Sequence, residues 1–566
     1  MDGLIIMDAR QSKFAVKLLP SMADFAFLMP IVFLFGRMDG AKTLLGDCDA
    51  GWHIRTGQWI LANHRVPVRD LFSFSKAGQP WYAWEWLADV LWAWLTAHGG
   101  LAALVLFCAL LLSATFTLLY RLARNKANPV AALAVTLVAA AASSVHWLAR
   151  PHLFTLFFAV LFCTVLERER YGRRRFCGLP LLVVLPAATI LWTNLHGGFV
   201  AGIAIVGAYA AGELLRMAFA AASEVRRAAW SAARRYMLAG LLCLAASLVN
   251  PYTYHLHVHV FQYLRDPFQS EYILEFLTLS FHHPVAIFFE ILLLAGAATA
   301  VWNLSQRNFI DPVLMALWAH GSLLAARNIP IFVIVAAPPV AAALQHWIEA
   351  LPLSNTAAWL CAAARKYIGV TTELADADSI GRWHPASALG VLAVAALLFA
   401  PHPPAKFRAE FDPQAFPAAA VDTLCSEPAA RIFAYDQWGD YLIYRLYPHT
   451  RVFLDGRSDF YGADFEKDAI GVERVKYDWE KTLSRFGIDT ILLSPATPLA
   501  GALKESRRWR LVYDDGVALV FRSASPQPGA AIPAGPTPGG LSRDREITKT
   551  EARDRAITKF NNSSTS

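Results

Sequence analysis

Eleven apolar runs, parted by short polar segments, govern what this chain can fold into. The hydrocarbon core of a bilayer is about 30 Å thick and takes about 20 helical residues to cross. Within it every backbone N–H and C=O must be paired inside the chain, which helices achieve and open strands do not. The runs fall at 22–38, 100–120, 130–147, 152–166, 178–194, 198–216, 237–250, 284–303, 311–325, 329–347 and 385–401. Composition agrees with them. Of 566 residues 56% are hydrophobic and 17% charged, where soluble domains carry about 45–50% and about 25%. The expected fold class is therefore an all-α polytopic membrane bundle. The N-terminus, MDGLIIMDARQSKFAVK, is mixed and charged, and no cleavable signal is evident: no small-residue cleavage site follows the first run.

The formal charge of +7 is distributed as a topology signal rather than as a nucleic-acid footprint. Lys and Arg gather in short segments between apolar runs. One alternating set of connections (the N-terminus, 121–129, 167–176, 216–236, 304–310 and 348–384) holds 20 of them. The other set, 39–99, 148–151, 195–197, 251–283 and 326–328, holds 8. The richer set belongs to the cytoplasm. The N-terminus is thus expected inside, and everything beyond the eleventh run outside. The seven cysteines form no CxxC pair and no zinc spacing. Cys48 and Cys425 are the two that this topology places on the oxidising side, where a disulfide between them is an option.

Residues 1–401 read as the transmembrane domain, with a long first outer loop at 39–99. In that loop a helix is expected over 51–63, with Trp52, Trp59 and Ile60 on one side, lying along the interface. A second, at 85–97, leads into the next run. A Pro- and Ala-rich linker follows at 402–430. Residues 431–523 alternate strand-like and helical stretches (RIFAYD, RVFLDG, DTILLS) and end in WRLVYDDGVALVFR, a hairpin pattern around Asp-Asp-Gly. They predict a small extracytoplasmic α/β domain with a largely parallel sheet. The Pro/Gly-rich, then mixed-charge tail 524–566 reads as disordered, and no internal repeat is present.

The polar motifs all fall on the outer side of this topology. Asp47, Asp49, His53 and Arg55 follow the first run, and Glu85 stands between Trp84 and Trp86. Arg150 lies in Ala-Arg-Pro-His, Asn194 and His196 precede two glycines, and Asn250 and Tyr252 flank Pro251. Arg327 and Asn328 join runs nine and ten. Taken singly, each has a plain explanation: an Arg at a helix end reaches for headgroups, and Asn-Pro or His-Gly-Gly makes a turn. Their convergence on one face indicates a functional site, because ionisable groups at a membrane boundary cost free energy unless they are paired or solvated. The cytoplasmic segments hold Arg clusters and no comparable motifs.

The segment Asp47-x-Asp49-x-x-Trp52-His53-x-Arg55-x-Gly57-x-Trp59-Ile60 is the most informative. A carboxylate just beyond the first span, followed by a Trp/Arg helix, resembles the GT-C superfamily of membrane glycosyltransferases. That superfamily includes oligosaccharyltransferase catalytic subunits, protein mannosyltransferases and enzymes of the lipid A aminoarabinose transferase type. Trp84-Glu85-Trp86-Leu87, Ala149-Arg150-Pro151-His152, Asn194-x-His196-Gly197-Gly198-Phe199 and Phe453-Leu454-Asp455-Gly456-Arg457 are similar to motifs of an uncharacterised, glycosyltransferase-like bacterial group. The resemblance covers most of residues 22–523.

The resemblance implies an enzyme of the cell envelope, in the plasma (inner) membrane, with a polyprenyl-phosphate sugar as donor. The acceptor would be a saccharide, lipid or protein, and the anomeric centre would invert. By position Asp49 would be the general base, and Asp47 its partner or a metal ligand. His53, one helical turn on, would hydrogen-bond Asp49, and Glu85 would be a second carboxylate. Arg55, Arg150, Arg327 and His196 would bind the donor phosphate. Asn194, Asn250, Tyr252, Asp455 and Arg457 would support the site or the acceptor. A divalent cation, Mg or Mn, held by Asp47 and Asp49 is an open alternative, since only some branches of the superfamily use one. Two rival functions keep the same architecture: a transporter or flippase for lipid-linked saccharides, and a non-catalytic assembly factor. The first lacks the inverted repeat that transporters commonly show.

Overall fold

Ser21 opens the helix Met22–Val32 with a reciprocal cap in which its hydroxyl receives the Asp24 N–H and Asp24 accepts from the Ser21 backbone. In the computed structural model, which describes residues 17–173, 175–353, 357–424 and 431–524, a helix overlies each of the eleven apolar runs. Among the described residues five helical segments are long and apolar enough by themselves to cross a membrane: Trp86–Arg124, Pro129–His146, Phe199–Ala218, Ala286–Ser305 and Ala326–Leu353. Shorter apolar helices stand at Leu181–Leu195, Ile310–Leu324 and Pro385–Leu398. The molecule is thus a mostly helical membrane protein with a small sheet region near its C-terminus. Cys425 and most of the 524–566 tail lie outside the described residues.

The helix expected at 85–97 and the span expected at 100–120 form one 39-residue element, broken where Gly99 and Gly100 leave helical geometry. Gly100 sits at φ +61°, which a side chain rarely tolerates. The break lets the first part of this helix turn onto the loop 39–99 while the second part packs among the other helices.

That loop's own helix begins two residues earlier than expected and spans Asp49–Asn63. It is not a free interfacial helix. Trp52, His53, Ile54 and Ile60 are all buried, because two glycines allow neighbours to close on separate faces. A Cβ on Gly57 would lie 1.9 Å from the Asp89 carbonyl oxygen, and one on Gly51 2.9 Å from Tyr444 Cβ. The Asp49–Asn63 helix is therefore clamped between the start of Trp86–Arg124 and the C-terminal helix Asp436–Leu446.

The sheet has four strands in the order Ile432–Phe433, Thr490–Leu493, Leu519–Ser523, Trp509–Asp514. Only the first pair is parallel, so the expectation of a largely parallel sheet is corrected. The predicted hairpin is present and pairs Asp514 with Leu519. The Asp515 carboxylate accepts from the N–H groups of Val517 and Ala518, and Gly516 takes φ +83°. Along Thr490–Leu493 the side chains alternate. Ile491 and Leu493 pack into the region's own core with Phe453 and Phe521, while Leu492 joins the core continuous with the helices.

The stretch 451–456, expected as a strand, does not enter the sheet. Its backbone is taken by the loop 39–99: Phe74 N–H donates to the Val452 carbonyl and Val452 N–H to the Phe72 carbonyl, both at 2.9 Å. Beside this bridge Arg457 donates to both oxygens of Asp455 at 2.7 Å and to Asp70 at 2.8 Å. Its guanidinium carbon stands 4.5 Å from the centre of the Trp81 ring. First loop and C-terminal region are thereby joined by backbone, charge and aromatic packing at one place.

Candidate active site

Arg150 occupies a non-helical turn fixed from both sides. The neighbouring Ala149 donates its N–H to the Leu44 carbonyl at 2.7 Å, and its own carbonyl accepts the Trp92 indole N–H at 2.9 Å. From this support the guanidinium reaches three carboxylates: Asp49 at 2.7 Å, Asp47 at 3.2 Å and Glu275 at 3.4 Å. Glu275 lies on a single 3₁₀ turn, Leu274–Phe276, in the segment 251–283. The next residue, Leu277, accepts the Ala326 N–H at 2.9 Å, which brings Arg327 alongside. Arg327 binds the second Glu275 oxygen at 3.0 Å and lies 4.4 Å from the centre of the Phe276 ring. His146 Nε2 is 3.8 Å from Glu275. One carboxylate thus bridges two guanidiniums carried by separate loops.

The charges divide unequally. Burial alone would raise the Glu275 carboxyl, but Arg327 and Arg150 together hold it at about 2. Asp47 and Asp49 must share Arg150, and burial wins: Asp47 is pushed up to about 7 and Asp49 is also raised. Asp49 has a further carboxyl neighbour, Asp440 of the helix Asp436–Leu446 in the C-terminal region. A Cβ on Gly456 would meet Asp440 Oδ2 at 2.7 Å and Asp49 Oδ1 at 2.9 Å, so glycine is the residue that fits between them. Burial and then the Asp49 charge drive Asp440 well above the carboxylate range. Each carboxylate disfavours the charged form of the other.

A second chain of groups runs beside the first. His196 Nδ1 accepts the Gly198 N–H at 2.9 Å, which leaves the proton of the neutral ring on Nε2, 3.4 Å from Glu85 Oε1. Glu85 Oε2 is 3.5 Å from His53 Nε2, and His53 Nδ1 is 2.6 Å from Asp89 Oδ1. Burial lowers His196 to about 3 and His53 well below its usual value, while it raises Glu85 to about 8. At neutral pH both imidazoles are uncharged and Glu85 carries a proton. The folded protein therefore binds that proton between pH 4.5 and about 8 where the unfolded chain does not. The Glu85 contribution to stability falls across this window as the pH rises, against the rise that the two lowered imidazoles give below pH 6.5. Glu85→Gln, which cannot ionise, is expected to flatten the fall, and thermal unfolding at pH 5 and pH 8 checks it. An unchanged slope would remove Glu85 from the titration.

Not every expected residue joins these groups. His53 does not reach Asp49 as anticipated: Arg150 and Asp440 engage that carboxylate, and His53 turns to Glu85 and Asp89. Arg55 instead holds the end of the C-terminal helix, donating Nε to the Tyr444 carbonyl at 2.9 Å. Asn194 accepts the Trp86 indole N–H and donates to the Val249 carbonyl, both at 2.8 Å. Asn250 shapes its own turn, accepting the Tyr252 N–H at 2.8 Å, and the Tyr252 hydroxyl accepts the Ala83 N–H at 2.8 Å. Asp455 and Arg457 are buried in the junction described above.

Glu275, Asp440, Asp89 and His146 enter the site without having been singled out. Asp89 carried a usable signal, being the lone acid in the apolar stretch Trp86–Leu95. Among the described residues no group of three His, Cys, Asp or Glu is arranged to hold a metal ion. Between Asp47 and Asp49 stands the Arg150 guanidinium, which is not the surrounding a divalent cation selects.

No family model matches the chain, and no curated protein matches it. Among solved structures it is similar to the archaeal oligosaccharyltransferase AglB from Archaeoglobus fulgidus, solved in complex with an inhibitory peptide and a dolichol-phosphate. The two share 12% identity over 89% of this chain and 74% of that one, with a TM-score of 0.49. A likeness at that level carries no inference about chemistry.

Proposed function

We propose that this protein is a membrane glycosyltransferase that moves a sugar from a lipid-linked phosphate donor to an acceptor at the non-cytoplasmic face. The observation that carries the reading is the Glu275 carboxylate held between Arg150 and Arg327, with Asp47 and Asp49 on the far side of Arg150. A carboxylate in that position stands where a phosphate would be received, since guanidinium groups bind both anions through paired N–H donors. An arriving phosphate displaces Glu275 and draws Arg150 toward itself.

The reaction then follows from the groups left behind. The acceptor hydroxyl oxygen attacks the anomeric carbon and forms the new glycosidic bond. The bond from that carbon to the phosphate oxygen breaks, its electron pair stays on the phosphate, and Arg150 and Arg327 stabilise the charge. The acceptor's proton passes to Asp49. Attack opposite the departing phosphate inverts the centre. A raised carboxyl pKa makes Asp49 a stronger base than an exposed aspartate, which suits proton abstraction near neutral pH. The transporter and assembly-factor readings give no role to the paired carboxyls of Asp49 and Asp440.

The test is binding of a polyprenyl phosphate to the purified protein in nanodiscs. A charge-assisted contact contributes about 1.5–3 kcal/mol, so Arg327→Ala is expected to weaken binding by roughly tenfold or more. Glu275→Gln, which removes the competing anion, is expected to tighten it. Two variants that both leave binding unchanged would move the phosphate elsewhere and sink the proposal.

A further inference from the structure

The helix that starts beside Glu85 ends at Arg124, and next to that end lies a separate cavity of about 210 Å³. Its wall includes Asn125, Lys126, Glu167, Arg168, Tyr171 and Arg173. Both loops that form it belong to the Arg-rich set that the sequence places in the cytoplasm. It shares no residue with the groups around Arg150 and is independent of the function proposed for them.

Lys126 and Glu167 of its wall belong to a closed ionic layer. Lys126 lies 2.7 Å from Glu167 and 3.8 Å from Asp311, and Arg170 lies 3.0 Å from Glu167 and 3.3 Å from Asp311. Asn308 accepts from Arg170 at 2.7 Å, and the Tyr209 hydroxyl donates to Glu167 at 2.6 Å. Two cations meet two anions, so this layer is neutral and leaves nothing for a ligand.

The rim is different. Arg168 spends Nε and Nη2 on the Arg175 carbonyl, at 3.3 and 3.0 Å, which orients the guanidinium and leaves Nη1 unused. Arg173 lies past the end of the helix His152–Arg170 and is exposed. Among the described residues neither has a carboxylate partner. Basic groups in a last helical turn are commonly explained by the helix dipole and the terminal carbonyls. Arg124 fits that account, with Nη1 on the Ala127 carbonyl at 3.1 Å. Arg168 and Arg173 do not, since one bonds beyond its helix and the other is outside it. The cavity thus combines a neutral ionic layer, two uncompensated cations at its mouth, and a Tyr171 ring and Leu122 as its apolar part. Drug-sized pockets run to about 300–1,000 Å³, so this one admits a headgroup rather than a whole lipid.

We propose that this cavity binds a phosphate group at the cytoplasmic face, with Arg168 and Arg173 as its cationic ligands. The phosphate can come from an anionic phospholipid headgroup or from a free phosphate compound, and the chemistry of recognition is shared. The test uses the full chain in nanodiscs. Thermal stabilisation is titrated with phosphatidylglycerol in a phosphatidylcholine background, and separately with inorganic phosphate and pyrophosphate in phosphatidylcholine alone. Arg168→Gln/Arg173→Gln is expected to weaken the apparent affinity at least tenfold. Arg226→Gln/Arg227→Gln, which removes two exposed cations from another segment of the same set, is expected to leave it unchanged. Saturation by lipid alone identifies a headgroup site, and saturation by the soluble anions identifies a free-phosphate site. No stabilisation of the wild-type chain by either, or an equal loss in both double variants, would overturn the proposal.

Discussion

Arg150→Met is expected to destabilise the folded protein by about 3–5 kcal/mol, the usual cost of removing one partner from a buried ion pair and leaving the other uncompensated. Glu275 would keep Arg327, so the loss falls on Asp47 and Asp49, which have Arg150 as their shared cation. Protonation offers relief. With Arg150 present burial has already brought Asp47 to about 7, and without it both carboxyls rise further. The variant should therefore be closest to wild type at acidic pH and furthest from it above neutrality. Adding Asp47→Asn and Asp49→Asn to Arg150→Met removes the orphaned charges and is expected to restore much of the loss. Thermal unfolding in detergent at pH 6 and pH 8, for the single and triple variants, separates these outcomes. A single variant that melts with wild type at pH 8 would show that the cluster is not held by Arg150.

Asp49→Asn is expected to lower the turnover of sugar transfer by about 10²–10⁴-fold, the contribution general-base catalysis typically makes. The amide keeps the shape, but it accepts no proton from the acceptor hydroxyl. Donor-lipid binding should survive, because the proposed phosphate contacts are with Arg150 and Arg327. The split between lost turnover and retained binding is what a merely structural role would not produce. Steady-state transfer from a polyprenyl-phosphate sugar, measured beside the nanodisc binding described above, reads both quantities. A loss below tenfold would take the proton to another group, and Asp47 is the neighbour placed to receive it.

Local chemistry made much of this legible. Apolar length located a helix in every one of the eleven runs, and the Asp-Asp-Gly turn located its hairpin. Arg150, Asp47 and Asp49 were marked by their residue types, and the structure brings them together. Pairing across the chain was not legible. Spacing placed His53 one turn after Asp49, yet a stronger competitor for that carboxylate arrives from residue 150. The alternation in Arg-Val-Phe-Leu reads as a strand, but its hydrogen-bonding partner is a loop near residue 73, not the neighbouring sheet. Glu275 and Asp440 have ordinary neighbours in sequence and acquire their meaning only where loops 251–283 and 39–99 and the C-terminal helix converge.

The bond from Arg457 to Asp70 joins residues 387 positions apart. During synthesis, at about 5–20 residues per second, the first loop is complete roughly 20–80 s before its counterpart leaves the ribosome. Until then Asp49 has no Asp440 beside it and Asp70 has no cation. A nascent chain in the membrane is thus without a finished site until a region translated long after the first loop arrives to close it.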